Sequence, residues 1–329
     1  MRRIDEKLAK ITSGQYSPRD FIITFAKDAD LLRGCSATGP DADGRGRPLS
    51  AYRADVKRVI ESDLADIVLT SLGTAEALAD DGAYIRSNAT PAVRLSDPTE
   101  SWRVRGGAYA ALPGLPFRSS RIDAVKPVAT LGLYGMTFYN DPARDQATLT
   151  AYTEFRDIAN RVGIRHFLQI TDPRVAVETG DADPAAYCND MLARMLAGIP
   201  RREKPMFVET EYHGPAAMEE LANWDPARLV VGITSCVDGT TRDCLERVAQ
   251  AEKHGARLSG FSRDGFGYED PVLMLAAMRR VVLDGMGSFE AVRAYHDDLK
   301  AAGLRPSRAL QDDVELTSPL LKAHAAKAA

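Results

Sequence analysis

Eight short apolar runs, separated by segments of helical periodicity, recur from residue 20 almost to residue 300. The runs are 21–26, 67–71, 92–95, 129–138, 166–171, 206–212, 229–234 and 258–261. Between them, 50–62 places Tyr52, Val56, Val59 and Ile60 on one stripe, and 215–224 does the same with Met218 and Leu221. The segment 240–254 opens on capping threonines and ends at Gly255. Strands that alternate with helices pair in parallel, and eight of them predict a single closed (β/α)8 barrel, an α/β fold, with a doubly wound open sheet as the rival. No internal repeat or linker divides the 329 residues, so one domain is expected, frayed after about residue 315.

Three segments interrupt the repeat. Residues 34–48, rich in Gly, Pro and Asp, form a long loop after the first strand. Residues 97–127, with Trp102, Gly106, Gly107 and several prolines, form another after the third. Both lie at the mouth of such a barrel, where long loops wall binding sites.

The 42 basic residues face 46 acidic ones, a net charge of −4, which gives no field for nucleic acid and leaves a small-molecule substrate as the expected partner. Cys35, Cys188, Cys236 and Cys244 lack metal-cluster spacing, and residues 1–10 are charged rather than apolar. No apolar run approaches membrane length, so a reduced, cytoplasmic protein is expected. The chain has no G-x-G-x-x-G after its first strand, no G-x-S-x-G elbow and no assembled Ser/His/Asp set.

Side-chain alternation then sorts the strand ends. On the sixth run Phe207, Glu209, Glu211 and His213 share one face, and the apolar Met206, Val208 and Tyr212 belong to the other, against the helices. Two glutamates and a histidine therefore enter the barrel, where buried carboxylates require compensation. A divalent cation (Mg, Mn or Zn) held by Glu209, Glu211 and His213 supplies it in one reading. A salt-bridge network with Arg94, inward on the third strand, supplies it in the other. On the first strand the same phase brings Asp28 to the mouth as acid, base or ligand and leaves Lys27 opposite, unless the loop carries its amine inward to form a Schiff base. A solvated or salt-bridged Lys27 is the plain alternative. Asp97, Tyr134, Tyr139, Gln169 and Asp172 are further mouth candidates, with the tyrosines equally suited to packing. His166 opens its strand as a structural histidine. After the seventh strand the threonines and Asp238 suit helix capping as well as an anion site, and Arg263 after the eighth offers a positive charge.

Several motifs together resemble a bacterial branch of the class I aldolase barrels, the group of deoxyribose-phosphate and archaeal-type fructose-bisphosphate aldolases. They are Tyr212-His213-Gly214-Pro215, the run 229–233 (LVVGI), the turn 239–243 (GTTRD), Lys27-Asp28-Ala29-Asp30, Asn140-Asp141 and 291–296 (AVRAYH). The resemblance spans about residues 20–315 and implies a barrel that acts on small carbonyl or sugar-derived compounds, commonly as a homo-oligomer. It matches Asp28 to the acid/base aspartate after the first strand. It also implies an imine-forming lysine on the sixth strand, where this chain has Glu209. The phosphate-binding turns of such relatives correspond here to Ser235-Cys236-Val237-Asp238 and Ser262-Arg263-Asp264.

Three functions follow as expectations. One is an aldolase-like carbon–carbon lyase of altered mechanism, with metal-bound enolate and proton transfer by Asp28. The second is imine chemistry at Lys27. The third is a barrel without catalysis that serves binding or assembly.

Overall fold

The computed structural model describes residues 2–40, 43–234, 239–262 and 268–325. Eight parallel strands close on themselves: β1 Ile22–Lys27, β2 Ile67–Thr70, β3 Thr90–Pro98, β4 Leu131–Met136, β5 Arg165–Ile170, β6 Val208–Thr210, β7 Val231–Ile233 and β8 Leu258–Ser262. Each pairs with its sequence neighbours, and β1 joins β8 through Ile22 to Leu258 and Ala26 to Ser262, so no edge remains. All eight expected runs are strands, and the (β/α)8 barrel replaces the open-sheet rival. No helix among the described residues is long and apolar enough to cross a membrane.

Alternation builds two cores. Phe21, Ile23, Phe25, Val68, Val93, Leu168, Val208 and Phe261 face outward against the helices. Ile22, Ile67, Leu69, Ala92, Leu131, Leu133, Phe167, Phe207, Val230 and Leu258 fill the lower interior. Phe167 and Phe207 stack there at 4.6 Å. At that depth there is no room for a further side chain on β7: a Cβ on Gly232 would lie 2.4 Å from the Leu258 carbonyl oxygen. The polar side chains of the cleft stand above this layer.

The first helix, Arg3–Thr12, closes the bottom. Its amphipathic pattern turns Ile4, Leu8 and Ile11 into the interior cluster. It is anchored by a buried carboxylate, Asp66, which accepts from Arg3 Nε (2.7 Å), Lys7 Nζ (2.8 Å) and the Ile23 amide (2.9 Å).

The loop after β1 contains a short helix Ala29–Arg33 and a 3₁₀ segment Gly34–Thr38. The loop after β3 folds back through a two-residue antiparallel pairing of Pro116–Phe117 with Asp97 and Pro98. Trp102 makes edge contacts with Tyr109 and Phe117, both at 5.0 Å, and so pins that loop. The expected fraying after residue 315 does not occur through residue 321. Thr317 and Ser318 donate backbone bonds to the Asp243 carboxylate, and Leu321 is fully buried. The cause is that Asp243, which caps its own helix, has acceptor capacity left for the tail.

Asp66→Ala would leave Lys7 and Arg3 facing a buried void. A loss of about 3–5 kcal/mol in unfolding free energy by urea denaturation is expected. Asp66→Asn, which keeps the shape and one acceptor, should lose less.

Candidate functional site

A cleft of about 310 Å³ opens at the carboxyl ends of the strands. Its lower wall comes from β-strand residues Ala26, Arg94, Gly135, Gln169 and Thr171, and its rim from Arg33, Glu100, Arg103 and Arg174 on the loops. This is the face on which barrels of this kind carry their chemistry.

The floor is built around one cation. Arg94 points inward from β3, is almost wholly buried, and forms a very short ion pair from Nε to Asp28. A β-bulge follows directly, where register shifts between Arg94 and Ser96. Burial works against the Arg94 charge, but Asp28 and then Asp97 outweigh it, and the guanidinium stays protonated. Glu209 lies behind the same floor, at 2% exposure. Its Oε2 accepts from Gln169 Nε2 at 3.3 Å, and its Oε1 is buried without a partner among the described residues. Burial pushes its carboxyl up to about 8, against the pull of Gln169 and Arg94, so it carries a proton at neutral pH. The Asp97 carboxyl is raised by burial too. One cation thus faces one ionic partner, and its two other carboxyl neighbours are driven toward neutrality.

A second polar chain runs up the β6 side. Glu211 lines the cleft and accepts from the Asp172 amide at 3.2 Å. Asp172 Oδ2 lies 2.7 Å from His213 Nε2. Burial raises the Glu211 pKa, with the Asp172 charge adding to it. Burial alone would lower that of His213. The Asp172 hydrogen bond and charge, with Glu211 and Asp183, overcome it and favour imidazolium. Proton-holding groups of both kinds therefore stand beside the cleft.

The inward phase of Asp28, Arg94, Gln169, Glu209 and Glu211 matches the sequence expectation. Others need correction. Lys27 points outward, where its amine bonds Asp55 at 2.8 Å and lies 4.6 Å from the Tyr52 ring centre, because strand phase prevails over the loop. Tyr134 also faces outward and packs on Tyr152 and Phe155, since Leu133 takes the inward position. Tyr139 bonds Glu100 instead of reaching the cleft. Asp97 sits beneath the β3 loop, where Ser119 and Ser101 donate to it. His166 is structural: it bonds Tyr152 at 2.8 Å, and burial lowers it to about 3. Arg263 and Ser235-Cys236-Val237-Asp238 lie outside the described residues.

The Glu209, Glu211 and His213 set does not fit a metal. Only Glu209 of the three lies within β6; Glu211 and His213 follow its end and turn to other partners. Glu209 turns to Gln169 and His213 to Asp172, and no metal-holding group of three His, Cys, Asp or Glu converges among the described residues. The expected network is also rearranged, with Arg94 bound to Asp28 and not to Glu209. Unforeseen in the sequence are Arg33, at the end of a five-residue helix, and Arg103 and Arg174, in aperiodic loops, where spacing carries little facing information.

No protein-family model matches the sequence, and no curated protein matches it. Solved structures do. An archaeal fructose 1,6-bisphosphate aldolase superposes with TM-score 0.58 at 15% identity, over 86% of this chain and 100% of that one. The fructose-bisphosphate aldolase of Slackia heliotrinireducens DSM 20476 gives 0.63 at 12%, over 94% and 92%. The hydroxymethylglutaryl-CoA lyase of Pseudomonas aeruginosa gives 0.50 at 15%, over 94% and 99%. At these identities the likeness is one of fold, to barrels that include aldolases and lyases.

Glu209 also has a pH signature. Between its ordinary pKa and about 8 the unfolded chain releases this proton and the folded chain keeps it. Folding stability should therefore fall as pH rises, by at most about 1.4 kcal/mol per unit. Glu209→Gln, which cannot titrate, should gain on the parent chain when urea unfolding at about pH 5 is compared with about pH 8.

Proposed function

We propose that this chain is an aldolase-like lyase that makes or breaks a carbon–carbon bond beside a carbonyl group, without an imine on the sixth strand. The observation that carries the reading is the buried Arg94 at the floor of a mouth cleft that Glu211 also lines. Likeness to aldolase and lyase barrels supports it. Where the resemblance implies an amine the chain carries Glu209, and no lysine lines the cleft.

The chemistry needs an electron sink and a base. On a β-hydroxy carbonyl compound, Arg94 donates to the carbonyl oxygen, and Asp28 keeps the guanidinium in place. Glu211, as carboxylate, takes the hydroxyl proton. The O–H electron pair becomes the new C=O, the Cα–Cβ bond breaks, and its pair passes into an enolate whose oxygen rests on Arg94. The proton returns from Glu211 to the α-carbon, and two carbonyl products leave. Condensation is the reverse. A raised Glu211 pKa suits a group that must take up a proton and return it. Glu209, neutral below the floor, leaves the Arg94 charge available to the substrate.

The test is solvent deuterium exchange at carbons next to the carbonyl, followed by NMR, over small keto acids, hydroxyketones and β-hydroxy carbonyl compounds. Glu211→Gln should lower exchange and cleavage by about 10²–10⁴ with the fold retained. Arg94→Met should lower them by about 10²–10³. Borohydride added during turnover should leave the protein mass unchanged. A lysine adduct, or no exchange and no cleavage across the panel, would overturn the reading.

A further inference from the structure

The rim of the cleft carries more positive charge than the floor chemistry uses. Four arginines and three carboxylates line it, in a chain whose net charge is −4. Arg94, whose Nε pairs with Asp28, belongs to the floor. The other three, Arg33, Arg103 and Arg174, come from the loops after β1, β3 and β5. Their convergence is built into the backbone: the Arg103 amide donates to the Leu32 carbonyl at 2.8 Å, which ties the third loop to the first beside Arg33. The edge-packed Trp102 holds the adjoining residue in place.

Like charges placed together are costly unless something answers them. Neither Arg103 nor Arg174 has a salt bridge among the described residues. The carboxylate nearest in effect, Glu100, has both oxygens engaged, with Thr137 Oγ1 at 2.7 Å and with Tyr139. After burial, Arg174 and Arg33 are what most depress the Arg103 pKa. A guanidinium is a planar donor fork suited to oxyanions.

We propose that Arg103 and Arg174, supported by Arg33, form an anion subsite that grips a carboxylate or phosphate group of the substrate while its carbonyl reaches Arg94. The subsite sits on the loops after β1, β3 and β5. It rests on the lyase reading for its purpose, and on the rim geometry alone for its existence. The substrate class it defines is a small carbonyl compound with an oxyanion at one end.

The experiment is calorimetric titration of the full chain with inorganic phosphate, with succinate, and with glycerol as a neutral control, at low and high salt. Saturable binding of at least one anion, weakened by salt, is expected. Arg103→Gln/Arg174→Gln should weaken it at least about tenfold. Arg165→Gln should not, because Arg165 pairs with Asp5 at the closed end of the barrel. Circular dichroism and thermal melting establish that the variants are folded. Stronger binding of phosphate or of succinate identifies which oxyanion the rim prefers. No saturable anion binding, or parental affinity in the folded double variant, would overturn the subsite. Anion binding without carbonyl chemistry would sink the lyase reading and leave the subsite standing. Cleavage of neutral substrates with no anion binding would do the reverse.

Discussion

The floor of this barrel is organised by one scarce resource, a single buried positive charge among several carboxyl groups. An isolated guanidinium at that depth would be expelled, and Asp28 is what keeps Arg94 there. With that pairing satisfied, burial raises the carboxyl pKa of both Glu209 and Asp97. Such ion pairs contribute little net stability compared with apolar packing, so their retention in a core points to use rather than to folding.

The scaffold supports this economy from two sides. Below, a dry layer of Phe167, Phe207, Leu131 and Leu258 is sealed by the first helix. Above, the loop after β3 is tied to the loop after β1 by a backbone hydrogen bond and pinned internally by aromatic edges. Rigid strands set the depth of each polar group, while the loops decide what can approach it. The fold is shared with aldolases and lyases at very low identity, so the side chains, and not the architecture, must carry any argument about reaction.

Much of this was legible in the sequence because strands alternate with period two. The runs around Glu209 and Asp28 each had one apolar face, and that alone turned their charged residues inward. Lys27 and Tyr134 obey the same rule and are excluded from the cleft by it. What alternation could not supply was depth along the axis, and this is why three same-face residues from Glu209 to His213 were open both to a shared ion and to a network with Arg94. Partner choice was equally hidden: Arg94 lies within the influence of three carboxyls, and only coordinates select Asp28. The arginine rim had no periodic signal, and the packing of residues 316–321 depends on spare acceptor capacity at Asp243, far away in the chain.

The apolar plug beneath the floor has a consequence for the traffic of hydrogen. With the lower barrel closed to water, the groups around Gln169 communicate with bulk solvent in one direction only, upward. Any hydrogen that passes between the floor groups and the medium therefore crosses the mouth of the cleft, where Arg33, Arg103 and Arg174 stand.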